Sequence, residues 1–108
     1  MSSTFCDTET ITKQLWEAAQ RQKICSVKFS NEPDNRIVFP YGICQTGKNK
    51  IVIVCWQESG YSGNSKLPGY RNLSLLDRTM VETLDRHFLK RSDFNPQDDQ
   101  YTDWVFHI

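Results

Sequence analysis

A chain of 108 residues with thirteen basic and thirteen acidic side chains has room for one domain and no global field to draw it to nucleic acid or an anionic membrane, so only a local basic patch could serve such a partner. Apolar residues are modest at 38%, while six Phe, four Tyr and three Trp point to a small core built around large aromatic rings. No apolar run reaches the length of about 18 residues that a membrane span needs, and no signal-peptide pattern opens the chain, so a cytoplasmic protein is expected.

After Met1 to Cys6, which are read as loose, Asp7 and Thr8 offer N-caps and Ile11, Leu15, Ala18 and Ala19 recur at helical spacing. The pattern predicts a helix over about 8–22, outside the sheet, with Trp16 beside its apolar stripe. Cys25, Val27 and Phe29 alternate with Ser26, Lys28 and Ser30, predicting a strand with one buried face and Lys28 pointing outward. The turn formers of Asn31-Glu-Pro-Asp-Asn35 join it as a hairpin to Arg36-Ile-Val-Phe39, and Pro40 ends or bends that second strand. Tyr41 to Gln45 resumes an extended path and Thr46 to Asn49 turns the chain. Lys50-Ile-Val-Ile-Val-Cys-Trp56 follows, a β-favouring run without alternation that predicts a central strand buried on both faces.

Gln57 to Gly69 is rich in Gly, Ser and polar residues and reads as the longest loop. Arg71 to Leu76 is a further strand. In the stretch from Asp77 to Phe88, Met80, Val81, Leu84 and Phe88 fit a helix and Thr79, Val81 and Thr83 fit a strand, so periodicity leaves it open. Lys90 to Gln100 reads as an irregular polar tail, and the aromatic segment at about 97–108 is expected to pack back as a final strand on the domain or onto a partner. The whole, 1–108, is a single mainly β domain with a β core over about 25–88, strands following one another without helices and therefore antiparallel.

Chemistry-bearing constellations are few. The four cysteines at 6, 25, 44 and 55 are scattered with no Cys-x-x-Cys pair, which argues against a zinc site, and Cys25 and Cys55 read as small buried hydrophobes. Asp93, Asp98, Asp99 and Asp103 read as a solvated acidic stretch, not a cation site. No nucleophile elbow, phosphate loop or zinc-protease motif is present, so an enzyme is the minority expectation, and no metal or cofactor is expected. The remaining set is basic and aromatic: Arg36, Tyr41, Trp56, Tyr61, Lys66, Tyr70, Arg71 and Arg78. Guanidinium groups beside accessible rings clamp phosphates by charge and bases by stacking, but the residues by themselves favour a plainer arrangement, with Trp56 and Tyr41 in the core and the arginines lying over it.

The ordered parts, a short helix, Cys-Ser-Val-Lys-Phe-Ser-Asn, Arg36-Ile-Val-Phe-Pro-Tyr-Gly-Ile, the central Lys-Ile-Val-Ile-Val and Tyr70-Arg-Asn-Leu-Ser-Leu-Leu-Asp-Arg78, resemble the WYL domain family over roughly Ile11 to Pro96. The departures mark a divergent branch: the name-giving Trp-Tyr-Leu, which would fall near Lys50-Ile51-Val52, is absent, and Phe29 stands where a Tyr is usual. The resemblance implies a small antiparallel Sm-like or SH3-like barrel flanked by the N-terminal helix. It also implies a regulatory, ligand-sensing role for a nucleotide or short single-stranded nucleic acid, as in bacterial regulators where such domains sit beside DNA-binding ones. Carried over by motif position, Arg36 and Arg71, with Arg78 in an alternative register, are the ligand candidates, and Tyr41 and Tyr70 their stacking neighbours. Trp56 joins them from its place at the end of the central strand. The alternative reading is a non-catalytic oligomerisation or protein-interaction subunit using the aromatic C-terminal segment.

Overall fold

The computed structural model describes residues 7–46, 50–62, 66–75, 78–101 and 103–108. The element order is α1 (Thr8–Gln20), β1 (Lys23–Phe29), β2 (Arg36–Gln45), β3 (Ile51–Gly60), β4 (Gly69–Ser74), β5 (Thr79–His87) and β6 (Asp103–His107). Asp7 caps α1 by accepting the Thr10 N–H at 2.9 Å, a bond that also holds its carboxyl below the usual value. The helix stops at Gln20, two residues short of the expected end, because Gln22 takes φ 53 and turns the chain directly into β1. Ile11, Leu15, Ala18 and Ala19 are its buried stripe, as their spacing requires.

All strand pairs are antiparallel, in the order β4-β3-β2-β1-β5, with β6 also paired to β2. Strand β2 has two neighbours on one edge. Its first part, Arg36 to Val38, pairs with β1, and its second, Gly42 to Gln45, pairs with β6. Pro40 separates the two with its missing N–H, and the ladder to β3 shifts between Pro40 and Gly42, leaving Tyr41 as an extra residue. A Cβ on Gly42 would stand 2.4 Å from the Phe106 carbonyl oxygen, so the close approach of β6 depends on glycine there.

The helix covers one face of the sheet, where Ile11, Leu15 and Ala18 meet Cys25, Val27, Phe29, Val38, Ile43, Ile53, Cys55, Leu73 and Val81. The other face carries Ile24, Tyr41, Cys44, Val52 and Val54, and it is covered by Phe88, which ends the stretch that periodicity left open, and by Phe94 from the segment read in sequence as an irregular tail. Several strands differ in detail from the sequence reading. Val52 to Cys55 are buried on both faces as expected, but Ile51 is 44% exposed at the strand end. Strand β1 is also two-sided: Ser26 is buried, and Lys28, expected to point outward, is half-buried with its Nζ donating to the Phe29 and Glu32 carbonyls. The ambiguous stretch forms β5 because the open edge of β1 pairs Cys25 to Phe29 with Thr83 to Thr79. Strand β3 runs past Trp56 to Gly60, shortening the long loop, and β4 starts at Gly69, with Leu76 of the expected strand outside the described residues.

Two expectations concern the ends of the sheet. No pairing joins β4 to β5 among the described residues, so the sheet is open and not a closed barrel. The C-terminal segment packs on its own domain: β6 joins β2, and Trp104 turns inward onto Phe94 and Tyr101. Among the described residues no helix is long and apolar enough to cross a membrane.

Burial raises the thiols of Cys25 and Cys55 to about 12. Since the thiolate is the reactive form, iodoacetamide at pH 8 should leave both unmodified in the folded protein and label both in denaturant, as read by peptide mass mapping. Labelling of either at the rate of a free thiol without denaturant would contradict their burial.

Candidate functional site

The residues nominated from sequence divide between two faces of the sheet: Arg36 and Arg71, with Tyr61 beside Arg36, on one, and Tyr41, Trp56 and Tyr70 on the other. Arg36 lies on the helix-covered face and is largely buried. Its guanidinium is gripped by Glu32 from the preceding turn, Nε to Oε1 at 3.0 Å and Nη2 to Oε2 at 2.7 Å, and this two-pronged bond holds its proton more firmly than usual. Nη1 donates to the buried Gln57 Oε1 at 2.9 Å, and the Tyr61 ring centroid lies 5.3 Å from the guanidinium carbon. Gln57 in turn donates to the carbonyls of Ser59 at 3.1 Å and Tyr61 at 2.7 Å, so no part of its amide is idle.

Arg71 lies on the same face, directly across the ladder from Cys55. Its Nη2 donates to the Lys66 carbonyl at 2.6 Å and Nη1 to the Tyr70 carbonyl at 2.9 Å, while its Nε is buried without a partner. Its Nη1 passes 3.2 Å from where a Cβ on Gly69 would sit, and Gly69 is the cross-strand partner of Gln57, to which Arg36 bonds. Both guanidiniums bear on the Cys55 thiol, opposing the rise that burial imposes. Strand β3 therefore holds Arg36 and Arg71 to one neighbourhood. Beside them a cavity of about 300 Å³ opens between the β1–β2 turn and β4, walled by Phe29, Asn31, Glu32 and Arg36 on one side and Asn72, Leu73 and Ser74 on the other. Arg78 is exposed, at φ 64, and immediately precedes Thr79, the ladder partner of the cavity residue Phe29.

Trp56 and Tyr70 stand opposite each other on the other face, rings 5.0 Å apart at 84°. The Tyr70 backbone touches Arg71 through its carbonyl, but both rings lie on the face away from the arginine pair. The Arg91 guanidinium carbon lies 3.8 Å from the Trp56 ring centroid, and Asp93 binds both Arg91, at 3.0 and 3.1 Å, and the Tyr70 hydroxyl, at 2.6 Å. These bonds hold the Asp93 carboxyl below its usual value, Arg91 first and Tyr70 second. Tyr41 corrects the sequence reading: its ring is fully buried against Phe88 and Phe94, and its hydroxyl accepts the Arg91 N–H at 2.8 Å, so it offers no ligand a face.

Sequence reasoning missed Glu32, Gln57, Arg91 and Asp93. Glu32 was read only as part of a turn and Gln57 as the start of a loop, though Gln57 continues the alternation of Ile53 and Cys55 on the inner face. Among the described residues no group of three or more His, Cys, Asp or Glu is placed to hold a metal ion, and the acidic stretch is engaged locally, with Asp98 accepting the Gln100 N–H at 3.1 Å. No family model, no curated protein and no solved structure matches the chain.

Proposed function

We propose that this chain is a non-catalytic regulatory binding module for a nucleotide or a short single-stranded nucleic acid, a divergent relative of WYL domains. The observation that carries the reading is the gathering of Arg36 and Arg71 on one side of the sheet, next to a polar cavity of about 300 Å³, with Glu32 as the carboxylate in the Arg36 fork. Planar guanidinium forks suit phosphate oxygens, and the carboxylate of Glu32 already occupies the Arg36 fork in the two-pronged manner a phosphate would. Asn31, Asn72 and Ser74 add neutral polar groups of the kind that orient a small ligand. The strand order also fits a small Sm-like or SH3-like barrel with one seam unzipped: joining β4 to β5 would complete a five-strand ring. In this reading the open seam is the ligand's entrance.

Fluorescence polarisation with short labelled oligonucleotides, competed by ATP, tests this. Two to three phosphate contacts on a single strand predict about a tenfold loss of affinity between 50 and 200 mM salt. Glu32→Gln, which releases the Arg36 fork, should tighten binding several-fold. Arg71→Gln and the exposed Arg78→Ala should weaken it. No polarisation change at 50 mM salt, with wild type and Glu32→Gln alike, would exclude the reading.

A further inference from the structure

The face that carries Trp56 and Tyr70 has the opposite charge preference. Three components of a cation site are assembled there: two rings at 84° forming a corner, a cation 3.8 Å from the Trp56 centroid, and a carboxylate bonded to that cation through both oxygens. The cation is the chain's own Arg91, whose side chain remains 41% exposed. An exposed ion pair of this kind contributes little to folding stability and exchanges readily with solvent.

Adjoining it, and sharing Tyr70 and Asp93, is a cavity of about 120 Å³ completed by Phe94, Tyr101, Asp98 and the Asn95 and Gln100 amides. Its wall holds three aromatic rings, two carboxylates and two amides, and no basic residue. Arg91 neutralises Asp93, which leaves the Asp98 charge facing the cavity. Lys90 approaches this wall from outside, its Nζ 5.8 Å from the Phe94 ring centroid. Rings present their negative faces to cations and the carboxylates supply acceptors, so a positively charged head group is the species this wall lowers in energy. The volume admits such a head group and excludes a nucleotide, which separates this site from the arginine-lined cavity.

We infer that this notch, lined by Trp56, Tyr70, Asp93, Asp98 and Tyr101, recognises a basic side chain of a protein partner, an alkylguanidinium or alkylammonium, and that Arg91 occupies its outer half until the partner arrives. The incoming cation bonds to Asp98 and Asp93 and stacks on the rings that Arg91 vacates. The inference stands apart from phosphate binding: it uses other residues, the other face and the opposite charge.

The test is an amide and indole NMR titration of the full chain with N-acetyl-arginine amide, with N-acetyl-glutamine amide as the neutral control. Saturable shifts are expected at the Tyr70, Asp93 and Gln100 amides and at the Trp56 indole for the arginine probe alone. Arg91→Ala removes the internal competitor and should tighten binding about tenfold if Arg91 fills the site nine-tenths of the time. Asp98→Asn, an exposed change that leaves the Trp56 stack alone, should weaken binding at least fivefold and keeps the test decisive if Arg91→Ala unfolds. Equal shifts with the glutamine probe, or no saturable shift in wild type and Arg91→Ala, or Asp98→Asn binding as tightly as wild type, would overturn the inference.

Discussion

Val52→Asp is expected to abolish cooperative folding at neutral pH, with flat thermal and urea transitions by circular dichroism, while Ile51→Asp next to it folds with nearly wild-type stability. Val52 is 6% exposed and packs in the cluster with Tyr41, Val54 and Phe94. Its ladder partners are Cys44 on β2 and Ser74 on β4, and neither supplies a cation. The substitution removes a buried apolar side chain and leaves a carboxylate with no counter-charge, a combination that costs about 4 kcal/mol or more. A domain of this size has roughly 5–15 kcal/mol in all, so the change consumes most or all of it. The pH dependence has a definite sign. Burial raises the introduced carboxyl's pKa in the folded state, the folded state binds the extra proton, and stability recovers as pH falls toward 4. A Val52→Asp protein with a wild-type transition at pH 7 would refute the two-sided burial of β3.

The parts of the fold that the sequence made legible are those whose patterns have one physical explanation. The Ile11, Leu15, Ala18 stripe and the turn formers at 31–35 match what the structure contains, and the unbroken run at 51–55 is buried from Val52 onward with Ile51 exposed. What it hid depends on contacts between distant segments. Thr79 to His87 satisfies helix and strand patterns alike, and the free edge of β1 decides between them. Ser26 and Lys28 look like an outward face, but Ser26 is buried with its hydroxyl accepting from the Asn35 amide, and Lys28 folds back onto the carbonyls of Phe29 and Glu32. The candidate site divides the same way. Arg36 and Arg71 do come together through β3, but Trp56 and Tyr70 point to the other side, because residues 55 and 71 share one face and 56 and 70 the other. That alternation could be read from period two once the register was known, and the register is not written in either strand alone. Glu32 and Asp93 were invisible for a simpler reason: an acid in a turn or a polar tail shows its partner only after folding.

Tyr41→Ala should lower the stability of the domain by about 3–5 kcal/mol, whereas Tyr41→Phe should cost about 1 kcal/mol, and the contrast separates a structural tyrosine from a ligand-stacking one. The ring is stacked near Phe88 at 5.7 Å and set edge-on to Phe94 at 4.7 Å and Tyr70 at 5.9 Å, so it joins the sheet to the covering segment. Removing it leaves a large cavity at the point where the β2 ladder already breaks around Tyr41. Removing only the hydroxyl leaves the Arg91 N–H without its acceptor and the ring packing intact. Because burial raises the Tyr41 phenol above its ordinary value of 10.0, the folded state keeps the proton longer than the unfolded chain does. The wild type should therefore lose stability as pH rises above about 10, and Tyr41→Phe should lose less of it over the same range. Oligonucleotide affinity should be the same for wild type and Tyr41→Phe, since the ring faces the core and lies away from the arginine pair. A Tyr41→Ala protein that melts at the wild-type temperature, or a Tyr41→Phe protein that folds normally but no longer binds, would return Tyr41 to the ligand site and remove it from the core.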